Sequence, residues 1–174
     1  MRIFHIPAYT DNYIWVMQSG SDISIIDPGD ASPVLDHIKN NDLNIVDILL
    51  THHHFDHVGG TLELKKHISG KVYGPVGDIN GVDIQVSEND EVKTLDYKFS
   101  VLETPGHTLD HIAYVEKRKQ LVFCGDTLFS AGCGRVFEGT FEQMHNSIQK
   151  LNQLDPETVI YCAHEYTVNY CLWI

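Results

Sequence analysis

Six consecutive residues, beginning at His52, carry five side chains that can bind a metal ion, four imidazoles and one carboxylate. Imidazole and carboxylate ligands together suit zinc, iron or manganese. His52 and His54 form one alternating pair, and Asp56 and His57 form a second pair, so this segment can serve two adjacent ions. Because a run of imidazoles has no packing purpose, we interpret the cluster as a metal site. The side chain of His53 should point away from its neighbours, which predicts a packing or supporting role.

The elements around this cluster place it on a loop where a strand ends. The mostly apolar segment 45–50 directly before it predicts a buried strand. Gly59 and Gly60 follow, and the spacing after them predicts a helix over 61–69. Loops at strand ends are usual locations for sites in layered α/β proteins.

Three further side chains stand just beyond predicted strands elsewhere in the chain. They are His107, at the tip of a Pro-Gly turn, Asp126, after a buried strand and a glycine, and His164, after the last strand. Two ions need more than four protein ligands, so we expect these three to complete the set. His111 competes with His107, but it begins the next strand, and His107 at the turn itself is favoured.

The predicted scheme divides seven side chains between two divalent ions. The first ion is assigned His52, His54, His107 and Asp126. The second ion is assigned Asp56, His57, His164 and Asp126. A shared carboxylate holds two ions about 3.5–4 Å apart, and a water or hydroxide between them becomes a nucleophile near neutral pH. Asp27 is a candidate to orient one imidazole, with an ordinary turn aspartate as the alternative.

The composition limits the classes of function. The chain has 174 residues, 43% of them hydrophobic, which predicts one domain over 1–174. Its formal charge of −12 argues against nucleic acids and anionic membrane surfaces as partners. No apolar run approaches the roughly 20 residues of a membrane span, and the polar N-terminus is unlike a signal peptide, so we expect a cytoplasmic protein. The cysteines form no CxxC pair and are predicted to be free thiols: Cys124, Cys133, Cys162 and Cys171.

The order of predicted elements indicates an α+β fold of two mixed sheets packed face to face, with helices outside. Strands are predicted at 2–6, 13–18, 23–26, 45–50, 71–73, 82–86, 91–93, 97–103, 112–116, 120–124 and 159–162. Besides 61–69, helices are predicted at 31–40 and 140–151.

With His107, Asp126 and His164 in order after it, the His-x-His-x-Asp-His motif resembles the metallo-β-lactamase superfamily. The resemblance implies a four-layer αβ/βα sandwich with a dinuclear site at one edge of its sheets. The segments 7–13, 125–129, 132–135, 138–140 and 164–167 are more narrowly similar to glyoxalase II, the hydroxyacylglutathione hydrolases.

This narrower resemblance implies hydrolysis of S-(2-hydroxyacyl)glutathione, chiefly S-D-lactoylglutathione, to D-lactate and glutathione. It implies two divalent ions, with zinc foremost and iron or manganese as alternatives, and attack by a bridging hydroxide on the thioester. Asp126 and Asp56 are the expected catalytic carboxylates. Arg135 and Tyr166 match glutathione-contacting positions, and Phe137 stands where some relatives have a tyrosine. A monomer or weak homo-oligomer is expected.

The printed sequence stops at Ile174, whereas glyoxalase II proteins continue into a C-terminal helical domain. We therefore expect a raised KM for glutathione thioesters with some retained kcat. The apolar residues 169–174 are expected to pack on the body or in an interface. The alternatives are a broader thioesterase or lactonase, an iron oxidoreductase of this fold, and a non-catalytic remnant. A lactam-hydrolysing enzyme is disfavoured, because Asp126 supplies a bridging carboxylate that those enzymes lack.

Overall fold

The computed structural model describes residues 2–167, which form two mixed β-sheets packed face to face. The first sheet has six strands in chain order: β1 (Arg2–Ala8), β2 (Asn12–Ser19), β3 (Asp22–Ile26), β4 (Asn44–Leu49), β5 (Val72–Pro75) and β6 (Ile84–Val86). Its first three strands pair antiparallel, and β3 to β6 run parallel. The sheet therefore combines a meander with crossovers, as the mixed pattern of the sequence predicted.

The second sheet has five strands, in the order β13-β10-β9-β8-β7. Their bounds are β7 (Glu91–Thr94), β8 (Tyr97–Glu103), β9 (Ile112–Glu116), β10 (Leu121–Gly125) and β13 (Val159–Cys162). The pairing of β10 with β13 is parallel and the other pairings are antiparallel. Two short strands, β11 (Leu128–Phe129) and β12 (Gly132–Cys133), form a separate hairpin after β10.

Helices cover the outer faces of the two sheets. Helix α1 (Ser32–Asn41) packs on the first sheet through its apolar face, which contributes Val34 to that core. Helix α4 (Phe141–Asn152) packs on the second sheet through Leu151. A capping box starts α4, because the Thr140 side chain accepts from the Gln143 backbone N–H and the Gln143 side chain accepts in return. The predicted four-layer sandwich is confirmed.

The core between the sheets is built from the inward-facing residues of both. Met17 and Leu49 come from the first sheet, and Phe99, Tyr114 and Phe123 come from the second, all with essentially no exposure. Burying one side chain of this size contributes about 1.5–3 kcal/mol. This core fixes the two sheets against each other, and so fixes the loops that leave their shared edge.

The structure departs from the predicted elements after the motif. Phe55–Val58 forms a one-turn helix, α2, and the predicted helix over 61–69 is only α3 (Thr61–Leu64) followed by a 3-10 turn at Lys65–His67. The chain becomes extended at Ile68 and bridges to Ile45 in β4, which ends the helix early. The β11–β12 hairpin was not predicted. Residues 169–174, including Cys171, lie outside the described residues.

None of the helices within residues 2–167 has the length and apolarity needed to cross a bilayer.

Candidate metal centre

The seven predicted ligands converge on one edge of the sandwich, where strands of both sheets end. His52, His54, Asp56 and His57 follow β4 of the first sheet. The other three follow strands of the second sheet, namely β8 for His107, β10 for Asp126 and β13 for His164. Imidazoles and carboxylates from both sheets therefore line a common space.

Four groups of three potential metal-binding side chains are present among residues 2–167, and two of these groups consist only of predicted ligands. The first, which we call group one, is His52, His54 and His107, whose candidate ligand atoms all lie within 4.8 Å of one another. The second, group two, is Asp56, His57 and His164, with the same limit on its ligand atoms. Each group has the donor types and spacing of a transition-metal position. The predicted division of the ligands matches these two groups.

Asp126 lies between the two groups and contacts both. Its Oδ1 is 3.4 Å from Nε2 of His57 and 3.4 Å from Nε2 of His164. Its Oδ2 is 3.3 Å from Nε2 of His107. One carboxylate oxygen therefore faces each group, which is the placement that a bridging ligand needs.

His111, the competitor of His107, lies behind Asp126 and belongs to neither group. Its Nε2 accepts a hydrogen bond from the backbone N–H of Asp126 at 3.0 Å. Its Nδ1 therefore carries the proton and donates to the Thr104 hydroxyl, 2.8 Å away. His111 supports the backbone at Asp126, and the preference for His107 in the candidate site agrees with the structure.

Four imidazoles are held from behind in the same way. In each, Nδ1 lies within hydrogen-bond distance of an oxygen outside the site. The pairs are His52 with Thr51 Oγ1 at 3.0 Å, His57 with Asp27 Oδ2 at 3.1 Å, His107 with the Arg135 carbonyl at 2.7 Å and His164 with Asp11 Oδ1 at 2.8 Å. A proton on Nδ1 leaves the Nε2 lone pair facing inward, which is the tautomer a metal-binding imidazole requires.

Three of the inward-facing atoms lack a hydrogen-bond partner among residues 2–167. His52 Nε2, His57 Nε2 and Asp126 Oδ1 are buried and have no hydrogen-bond partner. An unsatisfied buried polar group costs about 1–3 kcal/mol. Imidazole lone pairs and a carboxylate oxygen that face one buried space are satisfied together by a divalent cation. The residues present therefore fit the metal ions that the sequence predicts.

The electrostatics of the metal-free site keep two of its donors, His52 and Asp126, in the forms that bind metals. Burial and the neighbouring histidines hold the pKa of His52 well below its ordinary value, so its imidazole is neutral. For Asp126, burial acts to raise the pKa, but the imidazoles of His57, His164 and His107 outweigh it and lower the pKa to about 2. A neutral imidazole and an ionised carboxylate are the forms that bind metals.

Asp27 supports this site from the turn after β3. Besides His57, its carboxylate accepts from the Thr51 backbone N–H at 2.8 Å and from the Thr51 hydroxyl at 2.7 Å. Two residues on, a Cβ on Gly29 would lie 1.9 Å from the backbone oxygen of Asp56, so only glycine fits there. The hypothesis that Asp27 orients an imidazole therefore matches its observed contact.

The predicted substrate residues line one cavity beside the two groups. Arg135, Phe137 and Tyr166 surround a cavity of about 370 Å³ together with His107 and Asp126. The Arg135 guanidinium lies 5.0 Å from the centre of the Phe137 ring. Tyr166 stacks on His164, with 5.0 Å between ring centres. The cavity thus gives a small molecule access to the predicted metal centre.

His53 lies outside both groups. Its ring nitrogens are 3.0 Å from an oxygen of Asp110 and 3.1 Å from an oxygen of Glu138, and 39% of its side chain is exposed. It therefore links two carboxylates at the rim rather than packing in the core.

Two contacts made by the turn between β1 and β2 and the first residue of β2 were not predicted. Asp11 accepts from His164, and the Asn12 amide donates to Asp56 Oδ2 at 2.9 Å. The adjacent polar pair at a hairpin turn was a visible signal, but the partners lie 153 and 44 residues away in the chain.

The metal-free protein is expected to lose stability as the pH falls from about 6 to about 4. Burial lowers the pKa of His111 to about 3 and that of His52 well below its ordinary value, whereas an unfolded histidine titrates at about 6.5. The unfolded chain then binds more protons, so each such histidine lowers the free energy of unfolding by up to about 1.4 kcal/mol per pH unit. The pKa values of His57 and His164 are raised, so over the lower part of this range these residues are protonated in both states and add little slope.

Urea unfolding at about pH 6 and about pH 4.5 measures this slope. The variant His111→Gln should have a shallower slope than the unaltered protein. His145→Gln, a change at an exposed position of α4, should keep the original slope. Equal slopes in all three proteins would contradict the assignment of a buried, neutral His111.

Comparisons with known proteins agree with this geometry. The sequence profile of the Metallo-beta-lactamase superfamily matches residues 10–81 and 70–164. The chain therefore belongs to the metallo-beta-lactamase superfamily.

Two curated relatives are named hydroxyacylglutathione hydrolase. The protein from Ectopseudomonas mendocina (strain ymp) is 46% identical over 173 residues, covering 97% of this chain and 67% of the relative. The protein from Photobacterium profundum is 52% identical over 170 residues, covering 96% and 67%. A crystal structure of TTHA1623 in a di-iron-bound form is 27% identical, with a TM-score of 0.76, and the match covers 95% of this chain and 92% of that one.

Proposed function

We propose that this chain hydrolyses S-(2-hydroxyacyl)glutathione thioesters, chiefly S-D-lactoylglutathione, to D-lactate and glutathione at a dinuclear metal centre. The observation that carries the proposal is the Asp126 carboxylate, which lies between two complete groups of donors. The shared name of the relatives supports the reaction and the substrate.

Seven side chains would hold the two ions, with group one and group two each binding one ion and Asp126 bridging them. We propose zinc as the metal, since three imidazoles, or two imidazoles with a carboxylate, suit it, with iron or manganese as alternatives. The di-iron form of the solved relative supports iron as an alternative. When bound, the ions would lower the pKa of a coordinated water to near neutrality and offset the negative charge that develops on the thioester oxygen.

The two proposed catalytic carboxylates have different surroundings. Asp126 is nearly buried, with 8% of its side chain exposed, whereas 41% of the Asp56 side chain is exposed. Asn12 and the group-two imidazoles contact Oδ2 of Asp56. We infer that Asp126 fixes the spacing of the centre, while Asp56 faces the open side and orients the attacking water.

Arg135, Phe137 and Tyr166 would bind the glutathione part in the cavity beside the centre. The exposed Arg135 guanidinium suits a carboxylate or carbonyl of the peptide. We expect Arg135→Ala to raise KM for S-D-lactoylglutathione roughly 10-fold and to change kcat less than about 2-fold, because this contact is made in the ground state and the transition state alike. Steady-state kinetics measure both constants.

Arg118→Ala is the matched control, because it removes the same charge from the exposed turn between β9 and β10. It should leave both constants within about 2-fold. A variant at Arg135 that lowers kcat without raising KM would contradict a substrate-binding role. The backbone carbonyl of Arg135, which holds His107, is unchanged by the substitution.

The test of the proposed function is turnover by purified protein. The metal-free protein is reloaded with zinc, iron or manganese, and D-lactate release from S-D-lactoylglutathione is followed. We expect hydrolysis that depends on added metal. A protein that binds two ions and releases no D-lactate would overturn the proposed substrate while leaving the metal centre in place.

A further inference from the structure

Group two, unlike group one, is assembled around a hairpin turn that joins the two sheets. The Tyr13 N–H donates to the Ala163 carbonyl at 2.8 Å, and the Glu165 N–H donates to the Asp11 carbonyl at 2.8 Å. The turn between β1 and β2 of the first sheet is thereby tied to the segment after β13 of the second sheet. His164 lies within that segment.

Two side chains at this position, Asp11 in the turn and Asn12 at the start of β2, contact two members of group two. Asp11 Oδ1 lies 2.8 Å from Nδ1 of His164, and the Asn12 amide donates to Asp56 Oδ2 at 2.9 Å and to the Asp56 backbone oxygen at 3.3 Å. Neither side chain belongs to the two groups. Each instead fixes the direction in which a group-two donor points.

The supports of the two groups differ in charge. In group one, His52 contacts the Thr51 hydroxyl, which in turn donates to Asp27, and His107 contacts a backbone carbonyl, so neither direct support is charged. In group two, His57 is backed by the carboxylate of Asp27 and His164 by that of Asp11. A carboxylate behind an imidazole strengthens it as a donor, and its negative charge attracts a divalent cation further.

We propose that Asp11 and Asn12 are positioning residues for group two and make it the tighter of the two metal positions. This inference rests on the proposed dinuclear centre. Group two has the ligand carboxylate of Asp56 and two supporting carboxylates, whereas group one has only imidazoles besides the shared Asp126. Group two therefore fills first during metal loading and is the last to release its ion to a chelator.

The test measures zinc affinity, not activity. Metal-free protein is titrated with zinc against a chromophoric chelator, in the unaltered chain and in Asp11→Asn. The change keeps the size of the side chain and removes its charge. We expect two ions per unaltered chain, and in Asp11→Asn the tighter ion should lose roughly 10–100-fold in affinity while the other changes less than about 2-fold. Asn12→Ala should weaken the same ion through Asp56.

Asp22→Asn is the matched control. Asp22 is an exposed carboxylate at the start of β3, and its side chain accepts a hydrogen bond from the Asn44 amide, away from both groups. Its replacement removes one negative charge from the same sheet and should leave both affinities within about 2-fold. If Asp11→Asn and Asp22→Asn lose the same zinc affinity, the effect comes from net charge alone and the proposal is wrong.

A double-mutant cycle identifies the ion that Asp11 controls. In a chain with His54→Ala, which disables group one, Asp11→Asn should weaken the remaining ion by the same roughly 10–100-fold. In a chain with His164→Ala, it should have less than about a 2-fold effect, because its target imidazole is gone. The reverse pattern would overturn the assignment to group two.

The melting temperature of the metal-free protein shows whether Asp11 orients His164 for metal binding or only holds the two sheets together. If Asp11→Asn lowers the melting temperature and leaves both zinc affinities unchanged, Asp11 only joins the sheets and the inference is wrong. If the unaltered chain binds fewer than two ions, the proposed centre itself fails, and the inference falls with it. The number of ions bound by the unaltered protein distinguishes failure of the dinuclear centre from failure of the role assigned to Asp11.

Discussion

Replacement of Asp126 by alanine is expected to lower kcat for S-D-lactoylglutathione by roughly 1,000-fold or more. Asp126 contacts donors of both groups, with His57 and His164 on one oxygen and His107 on the other. Without it the proposed ions lose their shared ligand and their spacing, and with them the stabilisation of charge in the transition state, which is commonly the largest catalytic effect.

The measurement compares kcat with the metal content of the same preparation. Asp126→Asn should lose nearly as much activity as the alanine variant, since a neutral amide cannot balance two cations. Asp36→Ala, at an exposed position of α1, removes a carboxylate away from the site and should retain full activity. An Asp126 variant within about 10-fold of the unaltered kcat would contradict a bridging role.

Replacement of Asp27 by alanine is expected to lower the free energy of unfolding by about 3–5 kcal/mol. The carboxylate of Asp27 is buried and satisfies the Thr51 N–H, the Thr51 hydroxyl and the His57 imidazole. Its removal leaves the Thr51 N–H and the Nδ1 of His57 without their acceptor in a buried place, and the Thr51 hydroxyl keeps only its contact with His52. Alanine also has to adopt the left-handed φ of 51° at this position, which is strained for most residues.

Urea unfolding of the metal-free proteins tests this prediction. Asp27→Asn should be less destabilising than alanine, because asparagine tolerates the left-handed backbone and its oxygen can still accept from Thr51. Asp30→Ala is the control in the same turn. The Asp30 side chain caps only the Ser32 N–H near the surface, so its loss should cost about 1 kcal/mol. Equal costs at the two positions would contradict the account of Asp27.

The residues that converge at the candidate site could be selected from the sequence, because each stands after an apolar strand. The strands at 97–103, 112–116 and 159–162 have the same bounds in the structure as in the sequence pattern. A histidine or aspartate directly after such a strand is visible without knowledge of the tertiary fold. Since loops at one edge of a sandwich converge, chemically matched residues in these places indicated one site.

The supporting contacts could not be predicted, because they join residues that are distant in the chain. Asp11 and Asn12 contact His164 and Asp56 only after the two sheets have packed together. Nor does a one-turn helix such as α2, or a two-residue strand such as β11, contain enough residues to show a period. The identity of the metal, the cytoplasmic location, the single-domain organisation and the oligomeric state stay predictions.

The central claim is tested most directly by titrating zinc into metal-free protein while both bound ions and D-lactate release are recorded. We expect two ions per chain, with turnover that depends on metal and reaches its full value when the second ion binds. Turnover in the metal-free protein, or turnover that is unchanged by either ion, would contradict a dinuclear thioester hydrolase.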